Sequence, residues 1–182
     1  IINPKSPILN LLNNKHILNL ILWGPPGTGK TTFALNIAKI TQASFIQMNA
    51  VDAGVKDLKL ACEEGRKNKI ERQQKTILFV DEIHRFNKSQ QDVLLPYVER
   101  GDIYLIGATT EYPSYELNKA LLSRCQVLEF RRISEEKLKK IISHICSQQN
   151  KNMNDILTVE TLDTLTRLVD GDARKLINIF EN

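Results

Sequence analysis

The sequence has few cysteines and no long apolar stretch, and both absences narrow the class of protein. Its three cysteines are Cys62, Cys125 and Cys146, and no two of them form a C-x-x-C pair. This number and spacing argue against a disulfide framework and against a zinc site, so we expect an intracellular, reducing compartment. Uninterrupted apolar runs reach about four residues, whereas a helix that spans a bilayer needs about 20. We therefore expect no membrane partner.

The chain also has little excess charge. Its net charge is +4, which permits a nucleic-acid partner but does not by itself indicate one. Hydrophobic content of 42% and charged content of 25% are ordinary for a globular protein, and 182 residues suffice for an α/β domain with a small appendage. The chain opens on Ile1 and not on methionine, so we expect it to be a fragment of a longer protein.

The octet that runs from Gly24 to Thr31 is Gly-Pro-Pro-Gly-Thr-Gly-Lys-Thr, which fits the phosphate-binding pattern G-x-x-x-x-G-K-[ST]. Its glycines would let backbone N–H groups approach a polyanion, because no Cβ stands in the way. Lys30 would reach the β and γ phosphates, and the Thr31 hydroxyl would ligate Mg²⁺. The predicted nucleotide-binding residues of this segment are Gly24, Pro25, Pro26, Gly27, Thr28, Gly29, Lys30, Thr31 and Thr32.

Strand-like and helix-like segments alternate over the first 132 residues. Short apolar runs predict strands at 20–23, 45–48, 76–80, 103–107 and 126–130. Between them lie helical patterns, including one that we expect to begin at Ser89 and to kink or end early at Pro96. This alternation predicts a three-layer α/β fold with a five-stranded parallel sheet.

After Arg132 the sequence shows helical patterns only, with Ser134 and Asp172 as expected helix caps. We therefore predict a core domain over residues 1–132 and a small all-α domain over residues 133–182.

Two acids follow directly after the predicted strand at 76–80. Asp81 would hold Mg²⁺ through water, since this ion keeps much of its hydration. Glu82 would polarise a water for attack on the γ-phosphorus, the role of a general base. A strand that ends in acids is common, but this one lies about fifty residues after a phosphate loop, which is typical of a P-loop ATPase.

Two other residues near these motifs have simpler interpretations. His84 follows the two acids, but no second His or Cys lies nearby in the sequence, so we interpret it as a hydrogen-bonded structural histidine. Trp23 precedes the octet, and we interpret it as a core residue rather than a platform for adenine.

Longer blocks of sequence resemble a known family. The octet and the run Asp-Glu-Ile-His at 81–84 look like an AAA+ ATPase. Further blocks are similar to the RarA/MgsA family, which includes the eukaryotic Werner-helicase-interacting ATPase, and they lie at residues 49–56, 81–88, 106–114, 117–125 and 171–174. The resemblance runs from about residue 18 to residue 182. It implies a P-loop ATPase core followed by a helical lid, with ATP and Mg²⁺ as cofactors.

The resemblance also assigns roles to four residues outside the octet. Thr110 resembles sensor 1, which helps to position the attacking water. Arg124 resembles the arginine finger, which acts on the nucleotide of a neighbouring subunit. Arg174 resembles sensor 2 of the lid. Asn49 matches a polar switch residue that restrains Glu82.

These roles imply a homo-oligomer, because an arginine finger has meaning only between subunits. The family further implies DNA and replication or repair proteins as partners at stalled or damaged forks, in the nucleus of a eukaryote or the cytoplasm of a bacterium. Basic stretches at 66–75 and 131–140 could contact phosphates, although such runs are usually solvated faces.

Alternative functions stay open on the sequence alone. The same core motifs occur in a clamp-loader subunit and in a motor of Holliday-junction branch migration. An alternative of another kind is a nucleotide-gated assembly scaffold with little turnover.

Overall fold

The computed structural model describes residues 16–148 and 158–181. The described chain forms two compact units. The first contains the residues up to Trp23 and Lys30–Glu129, and the second contains Gly24–Gly29 and the residues from Phe130 onward. The phosphate loop is therefore grouped with the helices of the second unit, although it connects a strand and a helix of the first.

A parallel sheet forms the centre of the first unit. Among the described residues it has five strands in the order β2-β3-β4-β1-β5, which confirms the predicted α/β fold and its sheet. The strands are β1 (Leu20–Trp23), β2 (Ser44–Asn49), β3 (Thr76–Asp81), β4 (Tyr104–Thr109) and β5 (Gln126–Glu129). Each overlaps one of the strands predicted from an apolar run.

Helices connect these strands and cover the sheet. They are α1 (Lys30–Thr41), α2 (Val55–Arg72), α3 (Lys88–Glu99), α4 (Pro113–Glu116) and α5 (Lys119–Leu122), and a 3-10 turn spans Ile83–Arg85. Two of them pack on one face, where Leu58 of α2 and Leu94 of α3 form a core with Leu78 and Val80 of β3. Because side chains alternate along a strand, the fully buried Ile77 and Phe79 belong to the opposite face.

Helix α1 covers that opposite face. It contacts β3, and its buried Ala34 and Ile37 are not part of the core that α2 and α3 build. The sheet therefore lies between two helical layers, as the apolar, non-alternating sequence of β3 predicts.

Helix α3 corrects the expectation made for this segment. It begins after Asn87 and not at Ser89, because Asn87 Oδ1 accepts the Gln90 N–H at 2.9 Å while Gln90 Oε1 accepts the Asn87 N–H at 3.0 Å. This reciprocal pair is a capping box. The helix also continues through Pro96 to Glu99. A proline inside a helix costs about 3 kcal/mol, and burial of Leu94 and Val98 on either side offsets that cost.

The second unit contains only helices among its described elements. They are α6 (Glu135–Gln148), α7 (Val159–Leu168) and α8 (Ala173–Glu181). Their shared core includes Leu138, Ile142, Leu162 and Leu176. The side chain of Asp172 caps α8 as expected, since its Oδ1 accepts the N–H groups of Arg174 and Lys175 at 2.9 and 3.0 Å. In the described part of the chain, no helix has the length and apolarity needed to cross a membrane.

The buried Cys62 and the half-buried Cys125 give a test of the first unit. Burial raises the pKa of the Cys62 and Cys125 thiols to about 12, so both stay protonated near pH 8 and lack the thiolate that alkylating reagents attack. We expect iodoacetamide at pH 8 to label neither residue in the folded protein and both in denaturant, as measured by mass spectrometry of tryptic peptides. Rapid labelling without denaturant would contradict the packing described here.

Candidate nucleotide-binding site

Most of the functional residues predicted in the first unit lie near the carboxyl ends of strands, whereas Arg124 precedes β5 at the amino end of that strand. In the register of the sheet, Trp23 of β1 pairs with Thr109 of β4, and Val80 of β3 pairs with Gly107 of β4. Parallel strands present their carboxyl ends at one edge, where ligands of α/β sheets bind. Asp81 and Glu82 therefore emerge at the same edge as Thr110, and β4, which Thr110 follows, lies between β3 and the strand that leads into the phosphate loop.

The phosphate loop has the backbone that its sequence requires. Gly27 and Gly29 have φ values of +68° and +91°, which side chains with a Cβ rarely adopt. A Cβ built on Gly29 would meet no atom within 4 Å, so this glycine borders open space. The Thr28 hydroxyl donates to the Pro25 carbonyl at 2.9 Å and closes the loop on itself. Such a loop suits a group of anionic oxygens, which successive N–H groups can surround.

The start of α8 rests on this loop within the second unit. The Ala173 N–H donates to the Gly27 carbonyl at 3.0 Å. A Cβ built on Gly27 would lie 1.8 Å from Asp172 Oδ1, so only glycine leaves room for that carboxylate. Arg174 stands in the first turn of α8, one residue beyond this contact. The predicted sensor 2 residue is thus the next residue after the one whose N–H bonds to the loop.

Lys30 and Thr31 are the first residues of α1, and both are half-buried, whereas the following Thr32 is exposed. The first turn of a helix has unpaired N–H groups and the positive end of the helix dipole. An anion is stabilised there. The α1 start thus adds to the positive potential that the Lys30 ammonium supplies.

Asp81 and Glu82 form the acidic end of β3. Asp81 Oδ1 accepts the Glu82 N–H at 3.1 Å. Glu82 has φ 53° and ψ 40°, a left-handed conformation that costs a non-glycine residue about 1–3 kcal/mol and is common at functional sites. The Glu82 side chain is 36% exposed, and its Oε2 lies 3.3 Å from Nε2 of His84. The strained backbone directs this carboxylate away from the strand and toward the histidine.

The donor set of the first unit fits Mg²⁺ chemically. The Asp81 carboxylate and the Thr31 hydroxyl offer hard oxygen atoms, and Mg²⁺ in nucleotide sites takes one or two protein oxygens together with phosphates and waters. Nowhere in residues 16–148 and 158–181 do three or more His, Cys, Asp or Glu residues group as metal ligands would. A site that depends on nucleotide oxygens needs no such cluster.

His84 is the hydrogen-bonded residue that its isolation in the sequence suggests. Its side chain is 8% exposed, and its Nδ1 lies 3.0 Å from Oγ1 of Thr109. Trp23 is only half-buried, and its ring meets that of Tyr112 edge-on at 5.0 Å. The tryptophan therefore belongs to a partly exposed aromatic contact and not to the centre of the core.

The side chains of Asn49 and Arg124 are hydrogen-bonded or ion-paired to residues other than those that their predicted roles require. Asn49 pairs with Asp81 in the sheet register, but its Oδ1 accepts the Val51 N–H at 3.0 Å. Arg124 directly follows the short turn after α5, where its Nη1 donates to the Ala120 carbonyl at 2.7 Å and its Nη2 contacts Oε1 of Glu99 at 2.5 Å. The roles of Asn49 as a switch and of Arg124 as a finger stay predictions.

Several residues that matter here gave no signal in the sequence. The buried Gln91 of α3 donates to the carbonyls of Phe86 and Glu116 at 2.9 and 3.0 Å and accepts the Asn118 N–H at 2.7 Å. It thus joins the turn after Glu82 to the segment that leads to Arg124. Glu99 and Thr109 were missed as well, because their partners are distant in the sequence.

Comparisons with known proteins identify the class of protein that this fold and loop define. The profile of the family described as ATPase family associated with various cellular activities (AAA) matches residues 20–133. The chain belongs to this AAA family.

Individual relatives show which members of the AAA family this chain is similar to, and they agree with the resemblance predicted from its sequence. The chain is 44% identical over 179 residues to the Replication-associated recombination protein A of Escherichia coli K12, and it is 44% identical over 179 residues to ATPase WRNIP1 of Dictyostelium discoideum. Each alignment includes 97% of the chain. The chain spans 40% of the bacterial relative and 20% of the Dictyostelium protein. The predicted resemblance to the RarA and Werner-helicase-interacting proteins is confirmed.

A solved structure with a similar fold is the Holliday junction branch migration motor RuvB of Thermotoga maritima. It superposes with a TM-score of 0.73 at 27% identity, over 95% of this chain and 56% of the RuvB chain. This likeness agrees with the P-loop fold described above.

Substitution of Gln91 tests whether this residue joins the turn after Glu82 to the segment that leads to Arg124. Gln91→Ala leaves the buried Phe86 carbonyl and the part-buried Glu116 carbonyl and Asn118 N–H without their partner, and an unpaired buried group costs about 1–3 kcal/mol. We expect the free energy of unfolding to fall by about 2–4 kcal/mol in urea titrations. Ser89→Ala, an exposed change on the same helix, should leave the midpoint unchanged. Equal midpoints for the two variants would contradict the described role.

Proposed function

We propose that this chain is the ATP-binding and ATP-hydrolysing module of a larger protein that maintains replication forks. Its core would comprise residues 1–132, and a helical lid would comprise residues 133–182. The observation that carries the proposal is the phosphate loop with its left-handed glycines, followed along the chain by Asp81 and Glu82 at the end of a buried strand.

The roles of the residues follow from their chemistry. The loop N–H groups and the Lys30 ammonium bind and orient the phosphates, because paired charges and aligned donors hold a polyanion in one pose. Thr31 and Asp81 hold Mg²⁺, which neutralises charge on the phosphate oxygens when it is bound. Glu82 takes a proton from the attacking water, and Thr110 helps to orient that water. Arg174 contributes a further cation from the lid.

Arg124 completes the site of a neighbouring subunit in this proposal. The guanidinium is now engaged by Glu99 and the Ala120 carbonyl. Exposed ion pairs of this kind are weak, about 0–1 kcal/mol, so assembly can redirect the arginine toward a phosphate at little cost. The protein would therefore act as a homo-oligomer.

The biological setting is proposed from the relatives. The bacterial relative is named for replication-associated recombination, which supports DNA and fork-processing proteins as partners inside the cell. The likeness to RuvB supports a second candidate, a motor that moves DNA junctions.

ATP turnover of the intact protein, titrated with forked, single-stranded and four-way DNA, tests both candidate functions. Stimulation by forks favours the first function, and a response confined to four-way junctions favours the second.

A pair of substitutions tests the ATPase chemistry. Lys30→Ala removes the cation from the phosphates, and a lost charge-assisted bond of about 1.5–3 kcal/mol predicts ATP binding weaker by about 10- to 100-fold. Glu82→Gln should keep ATP binding and lower the turnover number by about 10²–10⁴-fold, the usual contribution of a general base. Binding is measured with a fluorescent ATP analogue, and turnover by phosphate release.

Lys39→Ala is the matched control, since it removes an exposed lysine from the other end of α1. It should change neither quantity. Unaltered ATP affinity in Lys30→Ala would overturn the role of the phosphate loop. Normal turnover in Glu82→Gln would show that another residue activates the water.

Mixed oligomers test the finger. Arg124→Ala alone should lower turnover by about 10³–10⁵-fold. Mixing it with Glu82→Gln should restore measurable activity, because some interfaces then combine an intact Glu82 with an intact Arg124. Mixing Glu82→Gln with the double variant should restore none. If the first mixture stays inactive while both proteins assemble, Arg124 does not act between subunits.

A further inference from the structure

A short series of polar contacts, two of them hydrogen bonds and one an ion-pair contact, connects the proposed general base to the end of β4. The Glu111 N–H donates to Oγ1 of Thr109 at 3.0 Å. That hydroxyl lies 3.0 Å from Nδ1 of His84, and Nε2 of the same ring lies 3.3 Å from Oε2 of Glu82. Thr109 is 1% exposed and the His84 side chain 8%, so water has little access to these groups.

The protons of this series can be assigned from what each group is able to donate. An ionised Glu82 only accepts, so Nε2 of His84 must carry the hydrogen that faces it. In a neutral ring Nδ1 is then an acceptor, and the Thr109 hydroxyl is the donor that satisfies it. The same hydroxyl oxygen accepts the Glu111 N–H, and it lies 3.3 Å from the Glu111 carbonyl, which is farther than its 3.0 Å to Nδ1 of His84. The shorter contact favours donation to the ring, and a hydrogen on Nε2 then faces Glu82.

We propose that His84, held by Thr109, is the positioning residue that fixes the Glu82 carboxylate for its reaction with water. The inference rests on the proposed role of Glu82. The left-handed backbone of Glu82 sets the direction of its Cα–Cβ bond, but its side chain is 36% exposed and packing alone does not determine its rotamer. The histidine supplies that restraint, whereas Asn49, the expected switch residue, uses its side-chain oxygen on Val51.

The placement of Thr109 gives this restraint a second consequence. Thr109 directly precedes Thr110, the proposed sensor, so His84 couples the ends of β3 and β4. A shift of about 1 Å in a reacting group costs about 10²-fold in rate. Loss of the restraint should therefore lower the turnover number and leave ATP affinity unchanged, because neither His84 nor Thr109 belongs to the phosphate loop.

Two isosteric substitutions of His84 separate positioning from bulk packing. Glutamine places an amide N–H near the position of Nε2, whereas asparagine places its amide near the position of Nδ1 and does not reach Glu82. In the intact protein we expect His84→Asn to lower the turnover number by about 10- to 100-fold, with ATP affinity within about 2-fold of wild type. His84→Gln should retain most of the turnover.

Thr109 offers a matched pair on the other side of the ring. Thr109→Ser keeps the hydroxyl, and Thr109→Val keeps the shape without it. We expect Thr109→Val to lose turnover and Thr109→Ser to keep it.

Nitrogen NMR of the nucleotide-free protein, labelled at histidine, gives a readout that is independent of activity. The wild-type spectrum should place the hydrogen of the His84 ring on Nε2, and Thr109→Val should change the populations of hydrogen on the two ring nitrogens.

The outcomes distinguish this inference from the proposed function. If Glu82→Gln stops hydrolysis while His84→Asn and Thr109→Val turn over normally, the positioning role is wrong and the function stands. Normal turnover in Glu82→Gln would show that another residue activates the water, which removes the basis of the positioning role, whereas the absence of ATP turnover in the wild type would overturn the proposed function. Equal losses in His84→Gln and His84→Asn, or a hydrogen on Nδ1 in the wild type, would also overturn the inference. Should His84→Asn fail to fold, judged by its melting curve, the threonine pair and the NMR spectrum decide.

Discussion

Burial of β3 on both faces is the constraint on which the rest of the molecule depends. Ile77, Leu78, Phe79 and Val80 are fully buried, and the strand is bonded to neighbours on both sides. A strand so enclosed can present polar side chains only at its ends, and ligands of parallel sheets bind at the carboxyl end. The two acids stand there, and Glu82 leaves the sheet through a left-handed turn. The apolar packing of β3 thus determines where the two acidic side chains lie.

The sequence predicts well those structural features that depend on residues close together along the chain. Every strand was found from a short apolar run, and the phosphate loop was found from glycines whose φ values only glycine adopts readily. The cap of α8 at Asp172 was found for the same reason, since a cap acts two or three residues along the chain. The start of α3 was missed because Ser89 also has the chemistry of a cap, and only the reciprocal bonds of Asn87 and Gln90 decide between them.

Contacts between distant residues could not be predicted in this way. His84 meets Thr109 across 25 positions, and Gln91 meets Asn118 across 27. Histidine, threonine, glutamine and asparagine are ordinary residues at these positions. The sequence around each of them therefore gives no reason to pair it with its distant partner. The registers of β3 and β4 bring such partners together. The sequence therefore indicated the chemical groups of the candidate site, but not the groups that orient them.

Gly27 is constrained twice, by causes of different origin. Its left-handed backbone disfavours a side chain by about 1–3 kcal/mol, and the carboxylate of Asp172 occupies the place that a Cβ would take. A shorter residue at position 172 would relieve the collision but would leave the torsional strain at position 27. Gly27→Ala would therefore stay unfavourable even after a compensating change of Asp172.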